Sequence, residues 1–129
     1  MAIVKQLSVQ LENRPGTLAR LCSELARYAV NIVAIMVPEA KDVGQVRLVV
    51  NGQETARRVM GELGLKYTEE DVIALKLSDR PGALGRATRK LAEHGININY
   101  AYGSIVRGAS RAMVILGVSD PEKAAKIVK

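Results

Sequence analysis

Ile3, Leu7, Val9 and Leu11 alternate with Gln6, Ser8, Gln10 and Glu12. A period of two with polar partners predicts a half-buried strand. Pro15 breaks it and suits the first turn of a helix, where its missing N–H is not needed. Asn13 is placed to accept a hydrogen bond from the exposed amides of that turn. Leu18, Leu21, Cys22, Leu25, Ala26 and Ala29 follow at helical spacing, giving one apolar face. Asn31 opens a second strand over residues 32–37, and Pro38 with Lys41-Asp42-Val43-Gly44 reads as a hairpin. Residues 46–50 are a third strand. Residues 55–63 are a second helix, with Ala56, Val59, Met60 and Leu63 on one face and Gly64 as its stop. Residues 65–68 are a short fourth strand, and Glu69-Glu70-Asp71 an acidic corner, most simply a solvated turn. The order is βαββαβ.

The same unit is then written again. Asn13-Arg14-Pro15-Gly16-Thr17-Leu18 returns as Asp79-Arg80-Pro81-Gly82-Ala83-Leu84, an offset of 81 − 15 = 66 residues, and Asn31-Ile32 returns as Asn97-Ile98 at the same offset. Ile73, Leu75 and Leu77 replace Leu7, Val9 and Leu11, while Leu84, Ala87, Leu91 and Ala92 replace Leu18, Leu21, Leu25 and Ala26. Gly95 ends that helix, residues 97–105 form a strand, Val106-Arg107-Gly108-Ala109 a hairpin, and residues 112–118 another strand. Asp120-Pro121 caps a final helix over 121–129, and no equivalent of residues 65–68 follows. The second copy therefore lacks one edge strand unless another segment or another chain supplies it. The division expected is 1–70 and 71–129.

Right-handed crossovers put both helices of a unit on one face of its sheet. Yet the strands are apolar on both faces. Val33, Ile35 and Val37 alternate with Ile32, Ala34 and Met36, and Val49, Met113 and Ile115 fall away from the helices. A sheet apolar on both sides is covered on both, which predicts a homo-oligomer packed sheet against sheet.

Composition narrows the chemistry. In 129 residues, 48% are apolar and 25% charged, as in soluble globular chains. A unit of about 60 residues is marginal alone, so the copies should lean on each other. No apolar run reaches the roughly 18 residues of a membrane span, and the N-terminus has no signal-peptide pattern, so the cytoplasm is the expected compartment. Cys22 is the lone cysteine and His94 the lone histidine, leaving neither an internal disulfide nor a zinc ligand set. No cofactor is implied. Cys22 belongs to an apolar helix face and His94 to a helix end, and no nucleophile has a base at a recognisable spacing. The chain reads as a non-enzyme.

The repeated loop is the candidate site. Its plain reading is a structural turn, with proline starting the helix and glycine allowing close backbone approach, and Asn31 and Asn97 are then turn residues. Its functional reading has a mechanism. A helix start offers amides and partial positive charge to a carboxylate. Gly16 and Gly82 leave the backbone accessible, Asn13 or Asp79 offers an oxygen to an ammonium group, and Asn31 or Asn97 donates and accepts. Together these make a receptor for an α-amino acid.

These features resemble the ACT domain, the small-molecule-binding module of amino-acid-regulated enzymes. The resemblance rests on the strand ending in Asn/Asp-Arg-Pro-Gly-x-Leu, the amphipathic helix, and the Val30-Asn31-Ile32 and Gly95-Ile96-Asn97-Ile98 approaches to the second strands. It covers nearly the whole chain as a tandem pair. It implies an α+β, ferredoxin-like fold, with two repeats side by side through their second strands and a ligand where the Pro-Gly loop of one meets the second strand of the other. One implied site joins Asn13, Arg14, Pro15, Gly16, Thr17 and Leu18 to Asn97, Ile98 and Asn99. The other joins Asp79, Arg80, Pro81, Gly82, Ala83 and Leu84 to Asn31, Ile32 and Val33. The sites differ in charge at Asn13/Asp79 and in polarity at Asn99/Val33. Some members carry a histidine where Leu11 and Leu77 stand, so a contact needing imidazole is lost. The surrounding Leu, Ile, Val and Ala mildly favour a small or apolar amino acid.

Two rivals share the pattern. One is a regulatory subunit docked on a separate biosynthetic enzyme, using the same site. The other is an RNA-binding module of the same strand order, which the net charge of +6 invites. Such modules stack bases on strand aromatics. Here Phe and Trp are absent, and Tyr100 and Tyr102 are spaced to point inward to the helices. Arg86, Arg89 and Lys90 line a helix face that reads as solvated surface.

Overall fold

The computed structural model describes residues 2–78, 80–104 and 111–128. The hairpin expected over 106–109, Ile105 and Asp79 lie outside the described residues. Among the described residues six antiparallel strands and four helices keep the expected order, with the strand expected at 65–68 and the one expected from Val72 joined into one: β1 (Ala2–Glu12), α1 (Thr17–Arg27), β2 (Ile32–Met36), β3 (Val43–Val50), α2 (Gln53–Leu63), β4 (Tyr67–Ser78), α3 (Ala83–Glu93), β5 (Ile98–Ser104), β6 (Arg111–Val118) and α4 (Pro121–Ile127). This is the α+β, ferredoxin-like pattern. The chain forms two compact units, residues 5–70, and residues 71–129 together with the N-terminal four.

In the unit of residues 5–70 the strands run β2-β3-β1 and then the start of β4. Leu7 faces Leu48 and Val9 faces Val46, and all four are buried with Leu21, Leu25, Val59 and Met60 beneath α1 and α2. The alternation at the start of the chain thus points its odd positions at the helices. Gly64 stops α2 in a left-handed conformation (φ 69°), donating to the carbonyls of Gly61 and Met60.

The acidic corner at 69–71 is not a turn. β4 runs unbroken for 12 residues, because residues 65–78 contain neither glycine nor proline and the carboxylates are met by side chains. Glu70 accepts from Gln6 Nε2 at 3.5 Å and from the Ser8 hydroxyl. Glu69 accepts from Gln53 at 2.7 Å and Arg57 at 3.0 Å. The Gln53 hydrogen bond, then the Arg57 one, holds the Glu69 carboxyl below its ordinary range.

In the other unit the strands run β5-β6-β4, and then β1. No strand follows β6 among the described residues, as expected, and the edge left over is supplied by the chain itself. Residues 2–4 of β1 belong to this unit, and Ile3 packs on its core of Ile73, Leu75, Leu91, Ile96, Leu116 and Val118.

Three expectations about faces need correction. Both second strands carry an irregularity at equivalent places, between Ile32 and Ala34 and between Ile98 and Tyr100. It shifts Tyr100 opposite Gly117 and Tyr102 opposite Ile115, so the tyrosines lie away from the helices. The Tyr100 ring covers Gly117 closely enough that a Cβ there would sit 2.2 Å from it. Second, Val49 and Ile115 do face away from the helices, yet they are 6% and 1% exposed in the single chain and need no second copy to cover them. Among the described residues the exposed large apolar side chains are Val33, Ile35, Val37 and Val43, with Leu84 on α3. Third, the apolar face of α3 is thinner than expected. Only Leu91 is buried on it, and Leu84 is 44% exposed.

α1 and α3 end alike, with one difference. Ala29 takes a positive φ of 61° where its counterpart, 66 residues on, is Gly95 at 73°. A Cβ in the left-handed region costs about 1–2 kcal/mol, partly offset by glycine's unfolded-state entropy. Ala29→Gly should therefore stabilise the protein by roughly 0.5–1 kcal/mol, read as a raised urea midpoint at unchanged slope. A destabilised variant would show that the strain is relieved by a contact of the Ala29 methyl.

Candidate functional site

Both Arg-Pro-Gly loops have one backbone design. Gly16 (φ 92°) and Gly82 (φ 88°) stand at the N-caps of α1 and α3 in left-handed conformations, and among the described residues no side chain caps either helix. Glycine is thus required here by backbone geometry, a reason that composition does not show. A Cβ on Gly16 would meet nothing within 4 Å, whereas one on Gly82 would sit 2.9 Å from the Arg86 guanidinium.

Asn13 is not the expected cap. Its amide Nδ2 donates to the Ala40 carbonyl and its backbone N–H to Asp42 at 2.7 Å, pinning the loop to the β2–β3 connection. Thr17 Oγ1 donates to the Glu12 carbonyl at 2.6 Å, and Arg14 pairs with Glu12 at 2.9 Å. Arg14, Pro15, Gly16 and Thr17 line a cleft of about 630 Å³ that Arg20 and Lys66 also border. Asn13 and Leu18 are outside that lining. In the other unit a comparable cleft is lined by Ala83 but not by Arg80, Pro81, Gly82 or Leu84.

The second-strand residues are held by their backbones. Asn31 N–H donates to Asn51 Oδ1 at 2.8 Å, and Asn97 N–H to Ser119 Oγ at 3.0 Å. The Asn97 side chain donates to Asn99 Oδ1 at 2.8 Å. Within a unit, loop and second-strand start do not meet. Glu12 lies opposite Val43 and Ile32 opposite Val50, so the loop and Asn31 flank opposite ends of β3, roughly 20 Å apart at strand rise. Ser78 opposite Arg111 and Ile98 opposite Val118 repeat that separation on β6.

His94 is exposed, with Nδ1 against the Lys90 carbonyl at 2.9 Å, and Cys22 is half-buried. Among the described residues no group of His, Cys, Asp and Glu could hold a metal ion, and no helix is long and apolar enough to cross a membrane.

The architecture, then, is a doubled βαββ unit with a glycine-opened helix in each half. A family model described as "ACT domain pair" matches residues 1–129. The chain belongs to the ACT domain family. It is similar to a crystal structure of a Bacteroides thetaiotaomicron protein at 27% identity and TM-score 0.90, covering 97% of this chain and 85% of that one. The ligand-free regulatory subunit of aspartate kinase from Thermus thermophilus aligns at 18% identity and TM-score 0.69, over 99% and 91% of the two chains. E. coli aspartokinase III, in complex with lysine and aspartate, aligns at 19% identity and TM-score 0.54, over 99% of this chain and 31% of that one. These last two likenesses are of fold. No curated protein matches the sequence.

Proposed function

We propose that this protein is a non-catalytic regulatory module that binds an amino acid at its Arg-Pro-Gly loops. One observation carries the reading: both loops present a left-handed glycine to the start of an 11-residue helix that no side chain among the described residues caps. Such a helix start receives a carboxylate. Membership of the ACT family and the likeness to an aspartate kinase regulatory subunit support a regulatory role, and the lysine and aspartate named for aspartokinase III support an amino acid as ligand. Asn13 and Asp79 at the loops are the partners offered to the ammonium group, and Asn31, Asn97 and Asn99, which lie far from the loop of their own unit, would join the ligand only from a second copy. The module works in the cytoplasm as a homo-oligomer. The exposed Val33 and Ile35 on the edge strand β2, with Val37 just past its end, give a second copy an apolar edge to cover. A second reading, in which it is the regulatory subunit of a separate biosynthetic enzyme, rests on the aspartate kinase likeness and is tested by co-purification.

Thermal unfolding against each of the twenty amino acids tests the first reading. A ligand at about 100 times its Kd stabilises the folded state by about 2.7 kcal/mol. Gly16→Ala should remove that gain at its loop while leaving a folded protein, since the new methyl meets no atom and only the left-handed strain is added. No shift with any amino acid would reject the reading.

A further inference from the structure

The cleft in the second unit has an apolar floor under a basic wall. It measures about 670 Å³, within the range of small-molecule sites. Its origin is visible in the sequence. Ala87 stands where the first copy has Leu21, which is 1% exposed there. The smaller side chain leaves Leu75, Ala87 and Val128 flooring an open space.

The wall is α3. Arg86, Arg89 and Lys90 line the cleft, with Glu93 one turn on. The spacing i, i+3, i+4, i+7 puts all four on one helix face. No acidic group pairs with the three cations among the described residues. Lys76 borders the cleft too, but it lies opposite Met113 on the sheet face away from the helices, so its charge is not counted. Three cations and one carboxylate leave a net +2 above the apolar floor.

The geometry points to a binding site for an amphiphilic organic anion, a carboxylate or phosphate head held by Arg89 and Lys90 with an apolar body over Ala87 and Val128. A nucleic acid fits less well, because no aromatic side chain lines the cleft on which a base could stack. The site shares Ala83 with the loop but stands whether or not an amino acid binds at Gly16 or Gly82.

Titration of the full chain with octyl phosphate and with octanoate, followed by amide NMR shifts, tests it. Saturable shifts are expected at Ala83, Ala87 and Val128 and not at Val33 or Ile35. Inorganic phosphate should bind at least tenfold more weakly, for want of an apolar body. Ala87→Leu, which restores the volume found in the first copy, should abolish the shifts. Arg89→Glu with Lys90→Glu, both exposed and safe for folding, should weaken binding by at least tenfold through lost charge-assisted hydrogen bonds. Both amphiphiles giving shifts would assign the head-group class as any anion, and one alone would name it. Wild-type binding in both variants, shifts confined to Val33 and Ile35, no binding of either amphiphile, or tighter binding of mixed RNA than of octyl phosphate would each overturn the proposal.

Discussion

Ile3→Asp is expected to loosen the second unit by about 2–3 kcal/mol, the cost of placing a carboxylate against apolar side chains. Ile3 opens the chain, yet it packs with Ile73, Leu75 and Leu116, residues about 70 to 113 positions later. Among the described residues no strand follows β6, and residues 2–4 belong to this unit. An edge strand left without its apolar anchor exposes a row of unpaired backbone groups on its neighbour. Native-state hydrogen exchange reads the effect residue by residue. Amides of Ile73, Leu75 and Leu116 should exchange about 30–150 times faster, the factor that 2–3 kcal/mol implies. Val46 and Leu48 should change far less. Equal acceleration at both sets, or none at either, would mean that residues 2–4 do not serve the second unit.

Leu48→Ala should be costlier still, about 3–4 kcal/mol within the range for buried leucines. Leu48 is fully buried, and its cross-strand neighbour Leu7 is too. β3 is flanked by β1 and β2, so the backbone around a deleted side chain is held on both sides and the hole stays open. Where total stability is about 5–15 kcal/mol, such a loss takes a large share. Urea denaturation should show a lower midpoint with an unchanged slope. A loss under about 1 kcal/mol would mean that the core beneath β3 collapses around the vacancy, contrary to dense packing.

Much of the fold and part of the site were legible in the chain. Leu7, Val9 and Leu11 face the helices as their alternation predicts, Gly64 stops α2, and Asp120 caps α4 by accepting from the Lys123 N–H at 3.1 Å. The Arg-Pro-Gly loops open helices as the motif implies. Three things were not legible, each because a distant residue decided it. Glu69 and Glu70 looked like a solvated corner until Gln53, Arg57, Gln6 and Ser8 came to meet them. Asn13 looked like a cap, but Gly16 takes the N-cap position and the Asn13 amide is tied to Ala40 instead. Tyr100 and Tyr102 looked inward until a one-residue irregularity turned them over, since a slip of one position flips every side chain beyond it.

The sequence by itself determined the doubled unit, its order of elements and the two glycine corners, because period, proline and glycine act over a few neighbouring residues. Tertiary structure decided which strand completes the second half, which carboxylates are held, and where Ala87 leaves a hollow. Those outcomes depend on pairings between segments tens of residues apart, and no local preference encodes them.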